Sequence, residues 1–186
     1  MNKNLLIVGA GAYGLIAKEI AESMHCFEKI AFADDVYETT PNGIAVIGKI
    51  SDIENLVCDY YNIAIALPDA TLRLPLIQKL EEEVPCRIVT LVSPDAYVSP
   101  SAQIGKGCIV LPMVTIGMGS VLANGCIIGY GVTIGHCSMC CDGTHIECGA
   151  TVAENTIVPA GTKVESGNVY KRNEISAEDL FFDPKQ

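Results

Sequence analysis

From Val98 to Tyr170 an apolar residue returns at every sixth position without a slip, through Ile104, Val110, Ile116, Leu122, Ile128, Ile134, Cys140, Ile146, Val152, Val158 and Val164. A fixed short period of this kind marks a solenoid. Two residues before each stands a residue of limited size, among them Ala96, Cys108, Ser120, Cys126, Ser138, Thr144 and Ala150. Positions two apart in an extended chain face the same side, so each unit predicts a short strand sending one small and one large side chain inward. Glycines such as Gly117, Gly129 and Gly135 supply the corners, and the inward pairs stack into one narrow core.

The first 92 residues follow a different rhythm. An apolar strand, Asn4 to Val8, leads into Gly9-Ala10-Gly11-Ala12-Tyr13-Gly14 and then a helical pattern from Leu15 to Met24. Strand, glycine-rich turn and helix in that order suit a phosphate-binding unit, because backbone can approach a pyrophosphate that faces the helix N-terminus. A second strand, Lys29 to Phe32, runs toward Asp34 and Asp35, placed to accept hydrogen bonds from ribose hydroxyls. The bland alternative is that the glycines only allow a tight turn and close helix packing.

Tyr37 to Gly48 reads as a loop. Ser51 is expected to cap a helix beginning near Asp52, with Glu54 closing a capping box. Asn62 to Leu67 reads as a third strand, Asp69 to Glu83 as a helix that Pro75 delays or kinks, and Cys86 to Leu91 as a fourth strand. The expected organisation is an α/β, Rossmann-like half domain over 1–92, the solenoid over 93–172 and an acidic tail over 173–186.

Composition narrows the function. Twelve basic against 22 acidic residues give a net charge of −10, which argues against nucleic acid as a partner. No apolar run approaches a membrane span. Nine cysteines in a chain without an export signal suggest a reducing, cytoplasmic setting.

A glycine-rich βαβ domain followed by hexapeptide units resembles the bacterial sugar acyltransferases, of the sialic acid O-acetyltransferase and UDP-amino-sugar N-acetyltransferase type. The resemblance is carried by Ile7-Val8-Gly9-Ala10-Gly11 with Gly14, Phe32-Ala33-Asp34-Asp35, Val46-Ile47-Gly48, Ile63-Ala64-Ile65-Ala66 and Val132-Thr133-Ile134-Gly135-His136. It implies a left-handed parallel β-helix of about four triangular coils. It also implies a nucleotide sugar held by the first domain, through Gly9, Gly11, Gly14, Asp34 and Asp35, and acetyl-CoA bound between neighbouring solenoids of a homotrimer, with no metal. Outward apolar residues such as Ile127 and Met139 point to the same assembly, since a lone solenoid would leave them wet.

By the resemblance His136 matches the family's catalytic base, and His145 a second histidine near substrate and acetyl-CoA. A sugar amine or hydroxyl needs a proton acceptor as it attacks a thioester, and neutral imidazole has the right basicity. The family's carboxylate after the base is replaced here by Cys137, and its polar positions in the preceding coils by Gly117 and Gly129. Three other readings stay open: a degenerate relative that binds a nucleotide sugar or organises a partner without catalysis; zinc held among His136, Cys137, Cys140, Cys141, His145 and Cys148; and an NAD-linked oxidoreductase, for which half of the dinucleotide fold is missing.

Overall fold

The computed structural model describes residues 2–171; the expected acidic tail lies outside the described residues. The N-terminal unit is a five-stranded parallel sheet of β1 (Leu5–Val8), β2 (Ile30–Ala33), β3 (Val46–Gly48), β4 (Asn62–Ile65) and β5 (Arg87–Ile88), in the order β3-β2-β1-β4-β5. Its helices are α1 (Ala12–Ser23), a short α2 (Ile53–Leu56) and α3 (Ala70–Glu83). β1 and β4 are buried along their whole length, as expected of central strands covered on both faces.

Several boundaries differ from the expected ones. The stretch expected to be loop ends in β3, where Val46 and Gly48 pair with Phe32 and Ala33 across a register shift; a three-residue strand is too short to show a period. Helix α1 begins at Ala12, so Tyr13 and Gly14 belong to its first turn. Ser51 is not a cap. A turn of 3-10 helix, Ile50–Asp52, precedes α2, and the Asp52 carboxylate accepts from the Lys49 amide at 2.9 Å. Pro75 does not delay α3, which starts directly after Asp69; that carboxylate accepts from the Thr71 amide and hydroxyl.

The expected strand Cys86 to Leu91 is divided between two sheets. Arg87–Ile88 extends the α/β sheet, whereas Leu91–Val92 pairs with Ile109–Val110 and opens the solenoid. From there two-residue parallel strands wind around three faces. The first carries Leu91, Ile109, Ile127, His145 and Lys163 on its outer side, the second Tyr97, Thr115, Thr133, Thr151 and Val169, and the third Gln103, Val121, Met139 and Ile157. The inward residues form one core from Cys108 to Val164, as the six-residue period requires.

The first face is covered by the chain's own α/β unit. Ile109, Leu111 and Ile127 are buried in one cluster with Leu5, Ala17 and Ile20. Ile127, expected to wait for another subunit, is fully buried here; an outward strand position says nothing about which neighbour covers it. Helix α3 lies on the corner between the third and first faces. A Cβ on Gly143 would come within 2.7 Å of Leu74 Cδ1, and one on Gly125 within 3.0 Å of Ile77 Cδ1. These corners have left-handed φ angles of +68° and +64°, so glycine serves both the turn and the close approach. Arg73 seals the contact from complete burial, with Nε donating to Gly125 O at 2.7 Å, Nη2 to Gly143 O at 3.0 Å and Nη1 to the carbonyls of Leu67 and Pro68.

Candidate active site at the domain junction

The glycine-rich turn lies at the carboxyl end of β1, where ligands of open α/β sheets bind. Its three glycines answer to different constraints. Gly9 has φ +105° and Gly14 packs so closely that a Cβ would stand 2.0 Å from the Gly9 carbonyl oxygen, so the chain's own backbone demands both. Gly11 has an ordinary φ of −78°, and a Cβ there would meet only Tyr37 Cε2, at 3.8 Å. Nothing within the chain requires a glycine at that position. It caps α1 without a side-chain hydrogen bond, which leaves the helix N-terminus open to an anion.

Asp34 is tied to the same turn. Its Oδ2 accepts from the Ala10 amide at 2.7 Å, and its Oδ1 from Val36 and Tyr37 at 2.8 and 3.0 Å. Desolvation pushes this carboxyl up, but the backbone N–H groups of Ala10, Tyr37 and Val36 hold it below its ordinary value. Asp34 therefore fixes the turn's shape. Asp35 is exposed and accepts from the Ile50 amide at 2.9 Å.

On the solenoid side, His145 projects from the first face into this junction and is only 6% exposed. Its Nε2 lies 3.0 Å from Tyr13 Oη and 3.8 Å from Glu147 Oε1, and Glu147 in turn holds Lys163 Nζ at 3.1 Å. Burial pushes the imidazole below its ordinary value of 6.5, with Arg73 and Lys163 acting in the same direction and Glu147 opposing them. Burial, together with Glu147, also pushes the Tyr13 hydroxyl up. Both groups are thus neutral near pH 7. Beside them a cleft of about 590 Å³ opens between Pro68–Thr71, Leu74, Gly143, His145 and Lys163. A larger cavity, about 810 Å³, opens around Asn2, Asn62, Arg87 and Lys106 at the amino ends of the strands, away from the glycine-rich turn.

His136 is elsewhere. It is exposed on the turn between Ile134 and Met139, the corner joining the second and third faces and so opposite the face that carries His145. One chain does not bring the two histidines together. Cys137 beside it adopts a left-handed φ of +53°, a conformation that disfavours residues other than glycine and asparagine. Cys140 is buried in the core, while Cys141 and Cys148 occupy other corners. The cysteines and histidines weighed as zinc ligands are therefore dispersed, and no group of three possible ligands forms among the described residues. No helix there is long and apolar enough to cross a membrane.

The sequence drew attention to His145 but not to its partners. Arg73, Glu147 and Lys163 carry no local signal, since each reads as an ordinary helix or solenoid surface residue, and Tyr13 stands in the glycine-rich turn with nothing to mark it as a partner of the solenoid.

Comparison with known proteins identifies the family and the fold. Residues 4–80 match the family model of the PglD N-terminal domain. UDP-N-acetylbacillosamine N-acetyltransferase of Bacillus subtilis (strain 168) is 27% identical over 116 residues, covering 59% of this chain and 51% of that protein; the chain thus spans about half the length of this curated relative. The acetyltransferase domain of PglB from Neisseria gonorrhoeae FA1090 is 30% identical, aligned over 90% of this chain and 82% of that one, with a TM-score of 0.85. The same domain in complex with acetyl coenzyme A aligns with 29% identity over 91% and 82% of the two chains, again at a TM-score of 0.85. A mutant of perosamine N-acetyltransferase from Caulobacter crescentus, 22% identical over 91% of this chain and 89% of that one at a TM-score of 0.67, shares the fold. That fold is an α/β domain followed by a left-handed parallel β-helix.

Proposed function

The chain belongs to the sugar acyltransferase family whose members carry a PglD-type N-terminal domain, and from that premise we propose that it transfers an acetyl group from acetyl-CoA to a nucleotide-linked amino sugar. The observation that carries the reading is the convergence at the domain junction. Tyr13, in the first turn of the helix whose N-terminus Gly11 leaves open, touches His145, which with Lys163 lines the cleft. A pyrophosphate at the helix N-terminus would send its sugar toward that cleft. The relative solved with acetyl coenzyme A supports the donor.

In this reading the amine attacks the thioester carbonyl carbon, the C–S bond breaks, and an imidazole takes the proton that the nitrogen loses and passes it to the departing thiolate. His136 suits that role through its exposure. Because it sits opposite the cleft, the base is supplied by the solenoid of a neighbouring chain, and the working unit is a homotrimer. Val121, Met139 and Ile157 stack in register on the outer side of the third face, and they give the assembly a better apolar seam than the buried Ile127. Nine unpaired thiols support a cytoplasmic setting.

The test is mass spectrometry of a panel of UDP- and GDP-linked amino sugars incubated with acetyl-CoA and the chain. A product heavier by one acetyl group, absent with His136→Ala, is expected. No product with any member, although nucleotide sugar binds, would replace catalysis by the binding role left open above. Light scattering giving a monomer mass at micromolar concentration would remove the shared site.

A further inference from the structure

The contact between Tyr13 and His145 joins residues 132 positions apart and is a polar bridge between the first turn of the proposed phosphate-binding helix and the solenoid. The two rings meet edge to face, with centroids 5.4 Å apart and planes at 81°. A neutral imidazole has one N–H and one lone pair. Two groups stand near Nε2: the Glu147 carboxylate, 3.8 Å away and already holding Lys163, and the Tyr13 hydroxyl, which at 3.0 Å can give its hydrogen to the lone pair of a neutral ring.

We propose, resting on the transferase reading above, that Tyr13 is a positioning residue: its hydroxyl donates to His145 Nε2, fixes the Nδ1–H form of the ring, and ties that ring's orientation to the first turn of α1. The charged groups around the pair are Glu147, Lys163 and Arg73. Glu147, the closest carboxylate, is already engaged by Lys163. With its lone pair engaged by Tyr13, His145 helps to orient the acceptor sugar and does not take its proton. The Tyr13 oxygen, having given its hydrogen, keeps lone pairs for a donor group of the sugar.

The experiment is heteronuclear NMR of the histidine side chains in the intact protein, wild type and Tyr13→Phe, with steady-state kinetics on both. Phenylalanine keeps the edge-to-face contact and removes only the hydroxyl. In the wild type His145 is expected as a single Nδ1–H tautomer; in Tyr13→Phe the tautomers mix and the titration midpoint rises, because the bond that favoured the neutral ring is gone. The kinetic expectation is about a tenfold loss in kcat with the KM for acetyl-CoA unchanged. His145→Gln, whose amide oxygen can accept from Tyr13, is expected to retain more activity than His145→Ala. An Nε2–H ring in the wild type, or a tautomer and midpoint unmoved in Tyr13→Phe, overturns the proposal. The NMR needs no substrate, so absence of acetyl transfer would sink the transferase reading while this measurement still decides the bond.

Discussion

The backbone amide of Asn155 donates to the carbonyl of His136 at 3.0 Å, which seats the corner Glu154–Asn155 one coil beyond the corner His136–Cys137. Position 137 beside the proposed base offers a thiol and no carboxylate, but Glu154 stands in register with His136, and both side chains are exposed on the same edge.

Turnover is therefore expected to vanish in His136→Ala and to fall about tenfold in Glu154→Gln, equivalent to about 1.4 kcal/mol of barrier. Cys137→Glu, which puts a carboxylate beside the proposed base, should raise wild-type turnover about tenfold and recover the loss in Glu154→Gln. Initial rates of acetyl transfer measure all three, and unchanged turnover in Glu154→Gln would remove Glu154 from this account.

The glycines of the first turn should separate fold from ligand. Gly14→Ala forces a methyl against the Gly9 carbonyl and should cost about 2 kcal/mol or more, seen as a lower urea midpoint. Gly11→Ala meets no such obstacle and should shift stability by no more than about 1 kcal/mol, yet weaken nucleotide-sugar binding in calorimetry about tenfold. Equal affinity in wild type and Gly11→Ala would mean that nothing approaches the turn closely.

Arg73→Leu should be strongly destabilising. It leaves the carbonyls of Leu67, Pro68, Gly125 and Gly143 without their donor inside the domain contact, a loss of about 3 kcal/mol or more. Arg73→Lys should recover little, since an ammonium lacks the planar fork that reaches several acceptors. Chemical denaturation followed by circular dichroism decides it; a midpoint within error of wild type would contradict the assigned role.

His145 gives stability a pH dependence of definite sign. Its folded value lies below the 6.5 of a free side chain, so between the two the unfolded chain binds the extra proton and the fold loses stability as pH falls. The contribution is complete above about 6.5. His145→Gln should flatten the thermal unfolding midpoint across this window; an unaltered slope would mean that the ring is not buried neutral. Asp34 acts lower, with stability lost as pH falls from 3.8 through its depressed folded value.

The sequence by itself determined the two units and the inside of the second. A six-residue period forces the same positions inward in every coil, so the buried series from Cys108 to Val164 is legible without coordinates. The strand, glycine turn and helix order was equally local, and it located the turn beside Asp34. Only the tertiary structure decided which outward positions are covered. Ile127 and Met139 look alike in the repeat, yet one is fully buried beneath the α/β unit and the other is not, because coverage depends on where another segment docks. The same docking buries Arg73 on the glycine corners, brings Tyr13 to His145, and leaves His136 on the opposite edge. Those pairings join residues tens of positions apart, and the physics that selects them, close packing with every buried polar group satisfied, acts between segments and leaves no period in either.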